Sequence, residues 1–250
     1  MRFGAGVIAA TVAAGALLSI GSAAQPAGAR AERPRVTLRD AAPVVVELFT
    51  AQGCAGCVDA NAALERAASE PGVIALTYGV DYWDYLGWPD TFAQPEFGER
   101  QRAYRAALRQ RGVSTPQVVI DGRRQVSGAR GLELEAAIVQ EAAREAWPPD
   151  IEFRETGDRV GVGSGRPPAG GAEVLAVTYT PGVQTVEVRD GENRGRAVRH
   201  VNVVRDVTRL GEWRGRPVLY ALPPSRSGDA VAVLVQGKAD RRIIGAAVKD

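Results

Sequence analysis

The chain has 250 residues, 45% hydrophobic and 24% charged, an ordinary globular composition with length enough for one large or two modest domains. Lys and Arg number 31 against 29 Asp and Glu, for a net charge of +2. Arg is scattered through the second half rather than gathered into a run, which argues against a nucleic-acid partner.

Residues 1–29 stand apart from the rest. Arg2 precedes an apolar run from Val7 to Ile20, and Ser22-Ala23-Ala24 and Ala27-Gly28-Ala29 each offer the small-x-small pattern of a signal-peptidase site. The segment reads as an export signal followed by a linker over residues 30–42, which predicts a secreted or periplasmic protein. An uncleaved anchor is the alternative, since residues 3–20 approach the roughly 18 to 20 apolar residues that span a bilayer. Membrane contact is expected only through this segment. Export also places the chain's two cysteines where thiols tend towards disulfides.

Residues 43–148 read as an α/β domain. Val44-Val45-Val46-Glu47-Leu48-Phe49 is an apolar run with one acid, the pattern of a strand buried on both faces. The turn Thr50-Ala51-Gln52-Gly53 leads to Cys54-Ala55-Gly56-Cys57, and an Ala-rich segment with strong helix propensity then runs to Pro71-Gly72. Residues 73–80 supply the next strand, making a strand-helix-strand unit. An aromatic-rich stretch follows, with Tyr82, Trp83, Tyr85, Trp88, Phe92 and Phe97, and a charged helix is predicted from Pro95 to Arg111. Thr115-Pro116 precedes a short β-branched strand, and Asp121-Gly122 points to a hairpin with a strand near residues 124–126. An amphipathic helix over residues 132–147 ends at Pro148-Pro149, the best domain boundary in the chain.

Residues 149–250 hold short alternating or β-branched runs separated by Gly, Pro, Asp and Asn. They predict a smaller β-sandwich-like C-terminal domain.

A CxxC pair at a helix start gains reactivity because free backbone N–H groups and the helix dipole stabilise a thiolate on the first cysteine. Cys54 is therefore the predicted nucleophile and Cys57 the resolving, more buried partner. A structural disulfide is the plain alternative, but a bridge across three residues closes a very small loop and gives little chain-entropy stabilisation. A thiol-based metal site or metallochaperone is the second alternative. The chain has one His, His200, one Met, Met1, and no second CxxC to complete a zinc or copper set, so no metal ligands are assigned. His200 is expected to be a satisfied or surface residue rather than a base. No organic cofactor is implied.

The order of strand, CxxC, helix and strand, then Thr115-Pro116-Gln117-Val118-Val119-Ile120-Asp121-Gly122, resembles thioredoxins and glutaredoxins. That resemblance implies a cis proline at Pro116 facing the cysteines and shaping a groove for an extended substrate, with Thr115 beside it. Glu47 stands close to the place of the buried acid that relays protons to the resolving cysteine in thioredoxins. It lies seven residues before Cys54, one more than in the thioredoxin pattern, so relay and structural hydrogen bonding both stay open. The fold class expected is α/β, a thioredoxin-like domain followed by the β-sandwich-like one.

Further motifs sharpen the likeness. Glu47-Leu48-Phe49-Thr50 with Gln52-Gly53-Cys54 and Cys57, Val80-Asp81-Tyr82-Trp83-Asp84-Tyr85-Leu86-Gly87-Trp88, Glu99-Arg100-Gln101-Arg102 with Tyr104, and Thr115-Pro116-Gln117 are similar to the secreted bacterial family of domain of unknown function 1223. The likeness extends from about Pro43 to the C-terminus through Asn202-Val203-Val204-Arg205 and Gly245-Ala246-Ala247. It implies a thioredoxin-like domain with a β-rich C-terminal part and supplies no substrate.

The expected activity is dithiol–disulfide exchange on extracytoplasmic proteins. Its partners would be protein thiols or disulfides and an upstream thiol electron-transfer protein. Trp83, Tyr85 and Trp88 are candidates to hold substrate, although aromatic clusters also build cores. A non-catalytic binding protein on the same scaffold, with vestigial cysteines, is the rival from another class.

Overall fold

The computed structural model describes residues 42–128 and 130–249. The export segment and the greater part of the linker lie outside them. Among the described residues, no helix is long and apolar enough to cross a membrane.

The central strand is β1 (Val44–Thr50), buried along its whole length. Successive side chains of a strand point to opposite faces, so an unbroken apolar run needs cover on both. Val44, Val46 and Leu48 pack with Ala60, Ala63 and Leu64 of α1 (Cys57–Ala67) and Leu134, Ala137 and Ile138 of α3 (Gly131–Ala142). Val45 and Phe49 face the other way, into a cluster with Tyr78 of β2 (Val73–Gly79) and Phe97 and Tyr104 of α2 (Pro95–Ala107). Both helices α2 and α3 end short of the predicted limits, at Ala107 and Ala142.

β1 pairs in parallel with β2 and antiparallel with β3 (Gln117–Ile120), and β3 forms a hairpin with β4 (Arg124–Val126). The predicted Asp-Gly turn lies in the three-residue loop between them, closed by the Arg123 N–H donating to the Ile120 carbonyl at 2.9 Å, with its central residues Asp121 and Gly122 at φ 48° and 61°. A Cβ on Gly122 would lie 1.9 Å from the Arg241 carbonyl oxygen, so glycine is required there for space as well as for φ.

The second half departs from expectation. The strands are β5 (Ile151–Phe153), β6 (Arg159–Val162), β7 (Ala172–Glu187), β8 (Ala197–Trp213), β9 (Val218–Ala221), β10 (Ala230–Gly237) and β11 (Ile243–Lys249). They do not form a separate β-sandwich domain. Four of them continue the first sheet, in the order β11-β10-β7-β8-β2-β1-β3-β4. The junction is the parallel pairing of Thr77 with Val203, reinforced where Thr77 Oγ1 donates to the Val201 carbonyl at 2.5 Å. β5, β6 and β9 make a three-stranded sheet whose Val160, Val162 and Tyr220 pack on Val174, Ala176, Val231, Val233 and Val235.

All the described residues belong to one compact unit, and the boundary expected at Pro148-Pro149 does not divide it. A free edge of β2 would offer unpaired backbone groups, and β8 covers that edge, pairing with it at Thr77 and Val203. Of the short runs in this half, those over residues 174–179 and 183–187 belong to one 16-residue strand, whose pairing with β8 shifts register at three places, the last between Thr180 and Val183. A bulge and a turn look alike in sequence, since both use Pro and Gly.

Candidate active site

β1 ends at Thr50, and the chain turns back on itself, with the Cys54 N–H donating to the Ala51 carbonyl at 3.2 Å. Cys57 then opens α1, and its N–H donates to the Cys54 carbonyl at 3.1 Å. Cys54 and Cys57 are joined in a disulfide at this helix start. Cys57 is buried at 0% exposure, as expected, but Cys54 is nearly as buried at 2%. The extra cover comes from outside the strand–helix unit.

The Thr115–Pro116 bond is cis. A Cβ on Gly56 would come within 4.0 Å of Pro116 Cδ, so the proline ring lies against the bridging dipeptide of the CxxC. Thr115 Oγ1 donates to Cys54 Sγ at 3.5 Å and accepts from the Trp83 indole N–H at 2.7 Å. Indole, hydroxyl and sulfur thus form a chain, each group fixing the orientation of the next.

Gln52 links the turn to the aromatic segment. It is fully buried, and its Oε1 accepts from the Trp88 indole N–H at 2.9 Å and from the Thr91 N–H at 3.2 Å. Its Nε2 donates to Thr91 Oγ1 at 2.8 Å, and its backbone N–H donates to Asp90 Oδ2 at 2.6 Å. Burial pushes the Asp90 carboxyl up to about 6, against the backbone N–H groups that favour its ionised form. Of the three aromatics singled out from sequence, Trp83 is tied to Thr115 and Trp88 to Gln52. Tyr85, in a short 3-10 turn over Asp84–Leu86, is 80% exposed.

The remaining cover is the loop between β7 and β8. Asn193 is fully buried, and its Nδ2 donates to the Gln52 and Cys54 carbonyls at 2.8 and 2.9 Å. Glu192 Oε2 accepts the Ala55 N–H at 3.0 Å. Sequence reading missed Glu192, Asn193 and Asp90. Asp190-Gly191-Glu192-Asn193 carries only a turn signal, and nothing local ties it to cysteines some 140 positions earlier.

Glu47 lies on the α2 face of β1, fully buried. Its partners are Arg100, whose Nε donates at 2.7 Å, and the Tyr104 hydroxyl, rather than a cysteine sulfur. Gln236 Nε2 completes the cluster by donating to the Tyr104 hydroxyl at 2.8 Å. Burial holds the Tyr104 hydroxyl well above the usual phenol range, so it remains a donor. His200 is in the core, edge-on to Phe92 with ring centroids 5.4 Å apart, and burial lowers its pKa to about 4. It is neutral near pH 7. Among the described residues, no cluster of three or more His, Cys, Asp and Glu side chains is placed to hold a metal ion.

Two solved structures are similar. A crystal structure of an Agrobacterium tumefaciens protein is 34% identical, with a TM-score of 0.69 over 83% of this chain and 94% of that one. HBP35 of Porphyromonas gingivalis is 13% identical, with a TM-score of 0.55 over 84% of this chain and 75% of that one, a likeness of fold alone. No curated protein matches. The family model described as "Protein of unknown function (DUF1223)" matches residues 45–236, and the chain belongs to that family.

Proposed function

We propose that the protein is an extracytoplasmic thiol–disulfide oxidoreductase of thioredoxin-like architecture, acting through Cys54 and Cys57. The observation that carries this reading is a cysteine pair at a helix start with a cis Thr115–Pro116 bond beside it, the Thr115 hydroxyl lying 3.5 Å from Cys54 Sγ. The topology supports it: β1 stands between parallel β2 and antiparallel β3, β4 lies outside β3, and α1 and α3 share one face while α2 takes the other.

In this reading Cys54 attacks one sulfur of a substrate disulfide, or is attacked by a substrate thiol when the pair is oxidised. Cys57, one helical turn on, resolves the mixed disulfide. Pro116 presents no N–H, which leaves the carbonyl side of the Thr115–Pro116 segment to pair with an extended substrate. Trp83 and Trp88 flank the pair, and Tyr85 offers the exposed aromatic surface of that segment. Electrons pass to or from another thiol protein. The export signal read over residues 1–29 supports an exchange outside the cytosol, where substrate disulfides persist.

The test is a trapping experiment with the Cys57→Ser protein. An oxidoreductase accumulates mixed disulfides through Cys54, and a Cys54→Ser, Cys57→Ser protein accumulates none. Equal recovery from both would leave only a scaffold.

A further inference from the structure

The loop joining β7 to β8 closes on itself, with the Val188 N–H donating to Arg196 O at 3.0 Å and the Gly195 N–H to Val188 O at 2.8 Å. Its tip reaches the cysteine turn. Gly191, at φ 75°, lies beside that turn, where a Cβ would be in ordinary contact at 3.8 Å from Gly53 Cα. Asn193 then latches the tip with its two bonds to the Gln52 and Cys54 carbonyls. Those bonds are buried, so they hold the loop in one place.

Held there, Glu192 sets a carboxylate on the Ala55 N–H at 3.0 Å. That amide belongs to the residue after Cys54, in the turn that feeds the N-terminus of α1. A vacant amide and the positive end of the helix would favour a thiolate on Cys54. Glu192 occupies the amide and brings a like charge, which disfavours the thiolate.

We propose that Glu192 is a positioning residue that opposes thiolate formation at Cys54 and so favours the disulfide, casting the pair as an electron donor to substrate disulfides. This rests on the redox reading above. Cys54 loses a proton and attacks a substrate sulfur, the substrate S–S bond breaks, and the departing thiolate takes up a proton. Cys57 then gives up its proton and attacks Cys54 Sγ, releasing the second substrate thiol. The substrate disulfide is reduced by two electrons and the pair is oxidised to its disulfide, to be restored by a dithiol protein.

Other charged groups surround the turn. Asp90 binds the Gln52 N–H, Asp59 lies in the first turn of α1, Asp190 lies beside Gly87, and Arg196 reaches Asn193 Oδ1 at 3.5 Å. Glu192 alone among them bonds the amide next to Cys54, and the others are common to every variant compared below.

The test follows the thiol of Cys54 in the Cys57→Ser background, by iodoacetamide reaction rate against pH, with Glu192→Gln and Glu192→Lys added. The exposed position of Glu192 makes both substitutions compatible with folding. The Gln variant should raise the thiol's acid dissociation constant about threefold and the Lys variant about tenfold. In the protein with both cysteines, Glu192→Lys should raise the reduction potential, measured above the thiol titration, by about 30 mV, the equivalent of tenfold. Adding Asn193→Ala, which frees the tip, should shrink the Lys effect. Superimposed titrations of wild type, Gln and Lys variants would overturn the inference. Mixed-disulfide trapping with unshifted titrations removes this inference alone. Shifted titrations without trapping remove the redox reading and leave the influence of Glu192 on Cys54 standing.

Discussion

Two polar clusters flank β1, and they differ in what they hold. One gathers Gln52, Asp90, Thr91, Trp88 and Asn193 around the turn that carries Cys54. The other gathers Glu47, Arg100, Tyr104 and Gln236 between β1, α2 and β10. Both are dense in hydrogen bonds, yet only the first touches the cysteine turn. Burial of an acid beside a CxxC strand is therefore a weak pointer to proton relay, because the same acid can be spent on an ion pair that ties a helix to the sheet.

The sharpest way to break this contrast is Glu47→Gln. The substitution leaves the Arg100 guanidinium, only 10% exposed, without its charge partner. Denaturant unfolding should show a loss of about 3–5 kcal/mol. The pH profile of Cys54 alkylation should stay where it is, and a displaced profile would return Glu47 to the relay role.

The next effect lies in the first cluster and depends on pH. Asp90 has a folded pKa of about 6 against a reference of 3.8, so the native state binds its proton more tightly than the unfolded chain does. Stability from this group is full below about 4 and is lost as pH rises through 6, by about 3 kcal/mol in all. His200 works against it over nearly the same range. Its folded pKa of about 4 lies below the reference 6.5, so its contribution is full above 6.5 and is lost as pH falls through 4. The wild-type curve between pH 4 and 6.5 should thus be flatter than either variant's. Unfolding of Asp90→Asn should show stability rising with pH in that window, and His200→Phe should show it falling.

Smaller again is Asn193→Ala, which strands the Gln52 and Cys54 carbonyls and should cost about 1–3 kcal/mol in unfolding free energy. It should also speed reduction of the Cys54–Cys57 disulfide by a small thiol, since the loop that covers Cys54 is released. An unchanged reduction rate would mean the β7–β8 loop does not guard the sulfur. The smallest effect expected is Trp83→Phe, which removes the donor to Thr115 Oγ1, at about 1 kcal/mol, with a modest change in the alkylation rate of Cys54.

Much of the first cluster's frame was legible in the chain itself. A run of apolar residues makes a doubly covered strand, Ala-rich sequence makes a helix, and Asp-Gly makes a tight hairpin turn, because each depends on neighbours within a few positions. Cys54, Cys57 and Thr115-Pro116 fall into place for the same reason: they sit at the ends of such elements. What the strands pair with is another matter. Period-2 patterning says that a strand has two faces and is silent on which edge it joins, so β8 beside β2 could not be read, nor could the sheet that runs across Pro148-Pro149. Only the folded sheet carries the β7–β8 tip to the cysteine turn, where a Gly-rich loop becomes a latch at Asn193 and a charge at Glu192. Contacts that span well over a hundred residues leave no local pattern, since their free energy arises only once distant backbone groups have lost water together.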